Sequence, residues 1–184
     1  MTTRRLAQRL HVESPALYWH FKDKTALLDD MAMTVMTRHF NSPPPDHDDW
    51  LAWFADNARE FRRALLAYRD GARLHAGTTP DLEGLTRLAP KVAYLARHGL
   101  TEAQAGMALY AAGQYTLGCV LEEQARHTHH ESRRPSGQPE SEAVLALETQ
   151  AQHQLAQVSE AAFEFGLQLL VNGLQQLSQG HWEG

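Results

Sequence analysis

Asn41-Ser42-Pro43-Pro44-Pro45 is the stretch that most limits how this chain of 184 residues can fold. Each proline removes a backbone donor and restricts the residue before it, so no helix can cross these positions and the chain divides here. Residues 1–42 are expected to form a small head with a connecting helix, and residues 43–184 a larger body. On both sides apolar residues return at spacings of three and four, and no segment carries the two-residue alternation of a strand, so the expected fold class is all-α. With 43% hydrophobic and 21% charged residues the chain buries a core without staples, and the single cysteine, Cys119, excludes an intrachain disulfide framework and fits a reducing cytoplasm. No apolar run approaches membrane-spanning length and no signal-peptide pattern opens the chain, so a cytoplasmic protein with no membrane partner is expected. The sequence has no glycine-rich phosphate loop, zinc-type cysteine spacing or nucleophile elbow, which argues against an enzyme.

Ahead of the prolines, Leu6, Ala7 and Leu10 share one side of a helical wheel, and Ser14-Pro15 offers an N-cap hydroxyl followed by proline at the first helical position. The pattern predicts a short helix, a tight turn and a second short helix over roughly Pro15 to Phe21. Leu17 would face the core, while Tyr18, Trp19 and His20 are displayed at the end. Aromatic and hydrogen-bonding groups beside lysines suit a DNA groove better than a protein interior. Five of the 17 basic residues but two of the 22 acidic ones fall in the first 24 positions, so +3 sits there and −8 on the remaining 160. A positive head on an acidic body is the footprint of a module that grips phosphates. An ordinary helical hairpin with a solvated charged face has the same periodicity, and the pattern alone leaves that reading open. From Lys24, with Asp23 as N-cap, Leu27, Leu28, Met31 and Val35 carry a longer helix toward Phe40, joining head to body.

In the body, Trp50, Phe54, Asn57, Phe61 and Leu65 mark a helix whose apolar stripe is interrupted by one amide. Asn57 must either pair within the core or face a polar ligand, since an unpaired buried amide costs roughly 1–3 kcal/mol. Leu74 to Pro80 breaks the helical pattern, placing His75 and Thr78 at a helix-to-turn transition. A helix from about Leu82 to Arg97 ends at Gly99. Thr101 and Gln104 have capping-box spacing and open a long helix to Gln124, with Glu122 near its end. Arg126 to Gln138 is expected to be loop; its His127, His129 and His130 suit either a metal or a solvated loop. Helices over about Glu142 to Gln157 and Glu160 to Leu177 follow. The last carries Phe163, Leu167, Leu170, Val171 and Leu174 with Phe165 and Leu169 beside them, an apolar face broad enough to include a subunit interface and hence a homodimer.

The run LAQRLHVESPALYWHFKDKTALLD resembles the helix-turn-helix of the tetracycline repressor family, and ALLAYRDGARLHAGT and QYTLGCVLEEQ are similar to that family's effector region. The resemblance implies an N-terminal helix-turn-helix head and a helical ligand-binding and dimerisation core. It implies that Arg4, Ser14, Pro15, Tyr18, Trp19, His20 and Lys24 face DNA, with Thr2 and Thr3 near phosphates. Ser14 and Ala16 replace the family's usual glutamine and threonine, so different operator bases are expected. His11 stands where glycine is common in the turn and must visit left-handed space. The family has a further helix ahead of these two, whereas this sequence begins at what would be the second; either its start is truncated or the head is partly unfolded and binds DNA poorly.

For the body, the resemblance implies a Mg2+–drug chelate in each subunit. His75 would ligate the metal, while Thr78 and the partner subunit's Glu122 would hold metal-bound waters. Magnesium prefers oxygens and keeps several waters, so one imidazole is enough only where a ligand supplies anionic oxygens, as a β-diketonate does. Phe40, Asn57, Phe61, Thr79, Pro80, Leu88, Lys91, Leu109 and Gln114 stand at drug-contact positions. Among them Phe40, Thr79, Lys91 and Gln114 replace a histidine, an arginine, a glutamine and a histidine, and Lys91 can restore a contact to an anionic edge. The expected function is therefore a homodimeric transcriptional repressor on a palindromic operator, released by a magnesium-chelated tetracycline or a similar β-diketone polyketide. A regulator of the same fold that senses an unrelated lipophilic ligand without metal, a ligand-binding dimer without a competent DNA head, and a metal-dependent enzyme using His75 and Glu122 remain as rivals.

Overall fold

The structure, a computed structural model, describes residues 3–40, 42–45, 49–76, 78, 82–132 and 142–180. Its helices are α1 (Thr3–Arg9), α2 (Ser14–His20), α3 (Lys24–His39), α4 (Trp50–Leu66), α5 (Gly71–His75), α6 (Leu82–Ala96), α7 (Glu102–Ser132) and α8 (Glu142–Ser178), with no strand among the described residues.

Local chemistry sets the ends of the head helices. After α1 the Val12 N–H donates to the Ala7 carbonyl at 3.0 Å and the His11 N–H to the Gln8 carbonyl at 3.3 Å. This is a Schellman closure with His11 at its left-handed position, φ 54°. Contrary to the expected cap, Ser14 is not the N-cap of α2: the helix starts one residue earlier, Glu13 takes the cap position without a side-chain bond, and the Ala16 N–H donates to the Glu13 carbonyl at 3.0 Å. Proline is tolerated anywhere in a first turn, because its missing N–H is one of the donors no intrahelical partner reaches, so Pro15 could not fix the start to one residue. Asp23 does cap α3, accepting from the Ala26 N–H at 2.9 Å, and Asp49 caps α4 through the Ala52 N–H at 3.2 Å.

In the body the helices α4, α6, α7 and α8 share a core of Trp53, Phe54, Tyr94, Leu95, Leu109, Phe163 and Leu167. A second core joins the connecting helix α3 to α4, α5 and α7 through Val35, Met36, Phe61, Leu65, Ala72 and Val120. Arginines on α4 tie the frame together. Arg59 makes a two-pronged pair with Glu164 at 2.8 and 2.6 Å, and the buried Arg62 bonds Glu123 on α7 and Glu160 on α8, each at 2.7 Å, while lying over the Phe163 ring.

Three expected boundaries move. The break placed at Leu74 comes later, because Leu74 and His75 complete α5. The expected loop from Arg126 is helix through Ser132, since nothing before Pro135 removes a donor; within it the Thr128 hydroxyl back-bonds to the Gln124 carbonyl at 3.0 Å. The side chains of His127, His129 and His130 and residues 133–140 lie outside the described set. The last two expected helices are one, α8, in which Ser159 bonds back to the Leu155 carbonyl at 2.9 Å instead of opening a new helix. The capping box at Thr101 and Gln104 is present in both directions, at 3.2 and 2.9 Å.

Candidate functional site

His75 is the last residue of α5, and a buried amide fixes where α5 begins. Gln124 donates to the Leu65 and Tyr68 carbonyls at 3.2 and 3.0 Å and accepts from the Ala72 N–H at 3.2 Å, satisfying the corner between α4 and α5. At that corner Gly71 packs so closely that a Cβ would run into the Leu65 carbonyl. The imidazole of His75 then meets Phe61 edge-on at 5.1 Å, and its Nδ1 is buried without a hydrogen-bond partner. Burial holds the His75 pKa below its ordinary value, so the ring is neutral at pH 7, the form that ligates metals.

Thr78 lies beside it, its Oγ1 donating to the His75 carbonyl at 2.8 Å. That leaves the hydroxyl lone pairs to accept from a metal-bound water. Glu122 is exposed on α7, away from its own subunit's interior, whereas Glu123 turns inward to Arg62. Thr79 and Pro80 lie outside the described residues. No group of three or more His, Cys, Asp or Glu side chains that could hold a metal occurs among the described residues. One neutral imidazole with an orphaned nitrogen fits a magnesium ion that arrives with ligand oxygens, and does not fit a cage for the free ion.

A row of side chains leads away from His75. Phe61 lies 5.2 Å from Phe40, and Lys91 Nζ stands 3.8 Å over the Phe40 ring while donating to Asn57 Oδ1 at 2.7 Å. Thus Phe40, Asn57, Phe61, His75 and Lys91, expected from sequence to line one pocket, are brought together. Burial pushes the Lys91 ammonium down to about 8; Glu60 works against this and Arg87 adds to it. Leu109 belongs to the larger core with Trp53 and Phe54, Gln114 is exposed on α7, and Leu88 is 38% exposed on α6. Helical spacing placed them on suitable helices without fixing which neighbour each would meet.

A cleft of about 750 Å³ opens beside Asn57, lined by residues of α3, the proline segment and α4 that include His39, Ser42 and Glu60. Two further polar contacts are not announced by the sequence. Glu60, one turn from Asn57, accepts from the Ser42 hydroxyl at 2.7 Å. Arg87 on α6 donates to Thr37 Oγ1 on α3 at 2.6 Å, and no spacing signal announces a bond between residues 50 apart.

In the head, Arg4, Pro15, Tyr18, His20 and Lys24 are all exposed, and Trp19 is 84% exposed, which gives it no part in any core. Thr2 and the side chains of Thr3 and Ser14 lie outside the described set.

Comparison with known proteins matches residues 1–31 to the family described as bacterial regulatory proteins, tetR family, and residues 42–178 to the tetracyclin repressor-like C-terminal domain. The class C tetracycline repressor protein of Escherichia coli is 43% identical over 180 residues, covering 96% of this chain and 82% of that protein. The class A protein from transposon 1721, also of Escherichia coli, is 42% identical over 176 residues, covering 95% and 81%. Among solved structures, a variant repressor from Acinetobacter baumannii AYE in complex with minocycline superposes with a TM-score of 0.78 at 38% identity, covering 96% of this chain and 86% of that one. A class A repressor in complex with 5a,6-anhydrotetracycline and magnesium gives 0.73 at 38% identity, covering 96% and 87%.

Proposed function

The chain belongs to the tetracycline repressor family, whose members are DNA-binding transcriptional repressors and not enzymes, and on that footing we propose that it is a homodimeric repressor of a palindromic operator, released by a magnesium-chelated tetracycline or a similar β-diketone polyketide. Residues 1–42 serve as head and connector, and residues 43–184 as the effector-binding and dimerisation part. The observation that carries the effector half is His75: a half-buried, neutral imidazole whose Nδ1 is buried and unpartnered, beside a hydroxyl able to accept from water. A relative in complex with an anhydrotetracycline and magnesium supports the same chemistry.

Magnesium brought by the ligand supplies the positive charge that binds the diketonate oxygens to the protein. His75 would offer it a nitrogen, Thr78 and the partner subunit's Glu122 would hold its waters, and Phe61 and Phe40 would pack against the organic part. The two heads of a dimer must match half-sites one helical turn apart, roughly 34–36 Å, or a multiple. The second core packs α5 directly on the connecting helix α3 through Ala72, Val35 and Met36. A ligand that shifts the turn after His75 therefore moves α3 and spoils the separation of the heads. Its preference for the released state need exceed the coupling of about 1–3 kcal/mol typical of such switches only for sharp induction.

Fluorescence titration of the full chain with anhydrotetracycline and magnesium, repeated with EDTA, tests this reading. Saturable binding that the chelator abolishes is expected, with His75→Ala losing at least tenfold while holding operator DNA within a few fold of the parent. Drug affinity indifferent to chelator would remove the metal from the account. Tyr18→Ala is expected to do the reverse, losing the operator gel shift and keeping the drug.

A further inference from the structure

Two cations are buried among the described residues, and the protein treats them differently. Arg62 has carboxylates on both sides, Glu123 and Glu160. Lys91, 6% exposed, has none within ion-pair distance among the described residues. Its ammonium carries three N–H donors, of which Asn57 takes one, and the Phe40 ring answers its charge only weakly. Glu60 acts on it from farther away, with an oxygen engaged by Ser42. A buried cation without an anion is costly, and an incoming anion relieves that cost.

We propose that Lys91 sets the effector class: held on Asn57 and Phe40 at the opposite end of the aromatic row from His75, it selects a flat chelating ligand whose edge remote from the metal carries a carboxylate. This rests on His75 being the metal end. A carboxylate accepts from the ammonium with charge assistance, whereas a carboxamide must turn its N–H groups away from the two remaining donors and brings no countercharge. Between the two ends the rings of Phe61 and Phe40 follow one another from His75 to Lys91, so the guest must reach along an apolar row.

The test uses the full chain, magnesium, and two probes: a hydroxyanthraquinone with a carboxylate on the ring remote from its chelating hydroxy-ketone edge, and the matching carboxamide. The parent should bind the carboxylate at least tenfold more tightly; Lys91→Gln should bring the ratio near one, and Lys91→Arg should keep most of it. A parent ratio within twofold, or an unchanged ratio in Lys91→Gln, overturns the proposal, as does failure of both probes where anhydrotetracycline with magnesium binds. Should Lys91→Gln fail to fold, the parent ratio and Lys91→Arg decide. If the carboxylate preference holds but EDTA changes nothing, the metal reading of His75 fails alone; if EDTA abolishes binding and the preference is missing, Lys91 fails alone.

Discussion

Lys91 and His75 are both held where their protonated forms are disfavoured, and each leaves a measurable trace in stability. For His75 the folded pKa lies below the ordinary value of about 6.5, so as pH falls the unfolded chain takes up the proton first. The stabilisation is complete above about pH 6.5 and is lost as pH drops through the folded-state pKa. Urea melts between pH 7 and 5 should show the midpoint falling, and His75→Gln should flatten that dependence; an equal slope in the variant would contradict the burial argument. Lys91 is a standing cost at neutral pH in the free protein but also satisfies Asn57 Oδ1, so the double variant Lys91→Met with Asn57→Leu, which strands no amide, should stabilise it by about 1–3 kcal/mol, read as a rise in melting temperature, while weakening effector binding. Asn57 shows what one residue's sequence position can tell. A polar break in an apolar stripe announced that the amide needed a partner, but the partner is 34 residues away on another helix, and helical spacing does not say which residue lies opposite.

Single elements were legible where capping chemistry is local. Asp23, the Thr101–Gln104 box and Gly99, with φ 93° after α6, mark helix ends that follow from three or four consecutive residues. The continuity of α8 and the extension of α7 were not, since serine, valine and histidine are compatible with either helix or loop until tertiary packing decides. Two predictions belong to this scale. Gly71→Ala should cost about 1–3 kcal/mol, because the added methyl meets backbone that cannot swing aside, and should weaken effector binding by displacing α5; the stability loss is checked by denaturant unfolding. Arg87 links α6, which carries Lys91, to Thr37 on the connecting helix. Arg87→Ala should leave effector affinity within a few fold but weaken release from DNA, by a coupling of roughly 0.5–2 kcal/mol, measured as operator affinity with and without effector.

For the whole molecule, charge and surface set the behaviour. A head at +3 on an acidic body implies that operator affinity falls steeply with salt, and a gel-shift series from 50 to 200 mM salt should show it. Phe163, Leu167, Val171 and Leu174 of the broad apolar face on α8 are spent on the chain's own core, while Phe165 and Leu169 beside them are 70% and 57% exposed, and Met107 and Tyr110 on α7 are 64% and 68% exposed. Sedimentation should find a dimer, and Phe165→Asp should shift it toward monomer. The carboxylates that bracket Arg59 and Arg62 clamp α4, α7 and α8 into one block, whereas α3 meets this block along the smaller second core. On the proposed function the clamped helices would act as a stator: a push delivered at the end of α5 would pass through the second core into α3 and swing the arm that carries the head.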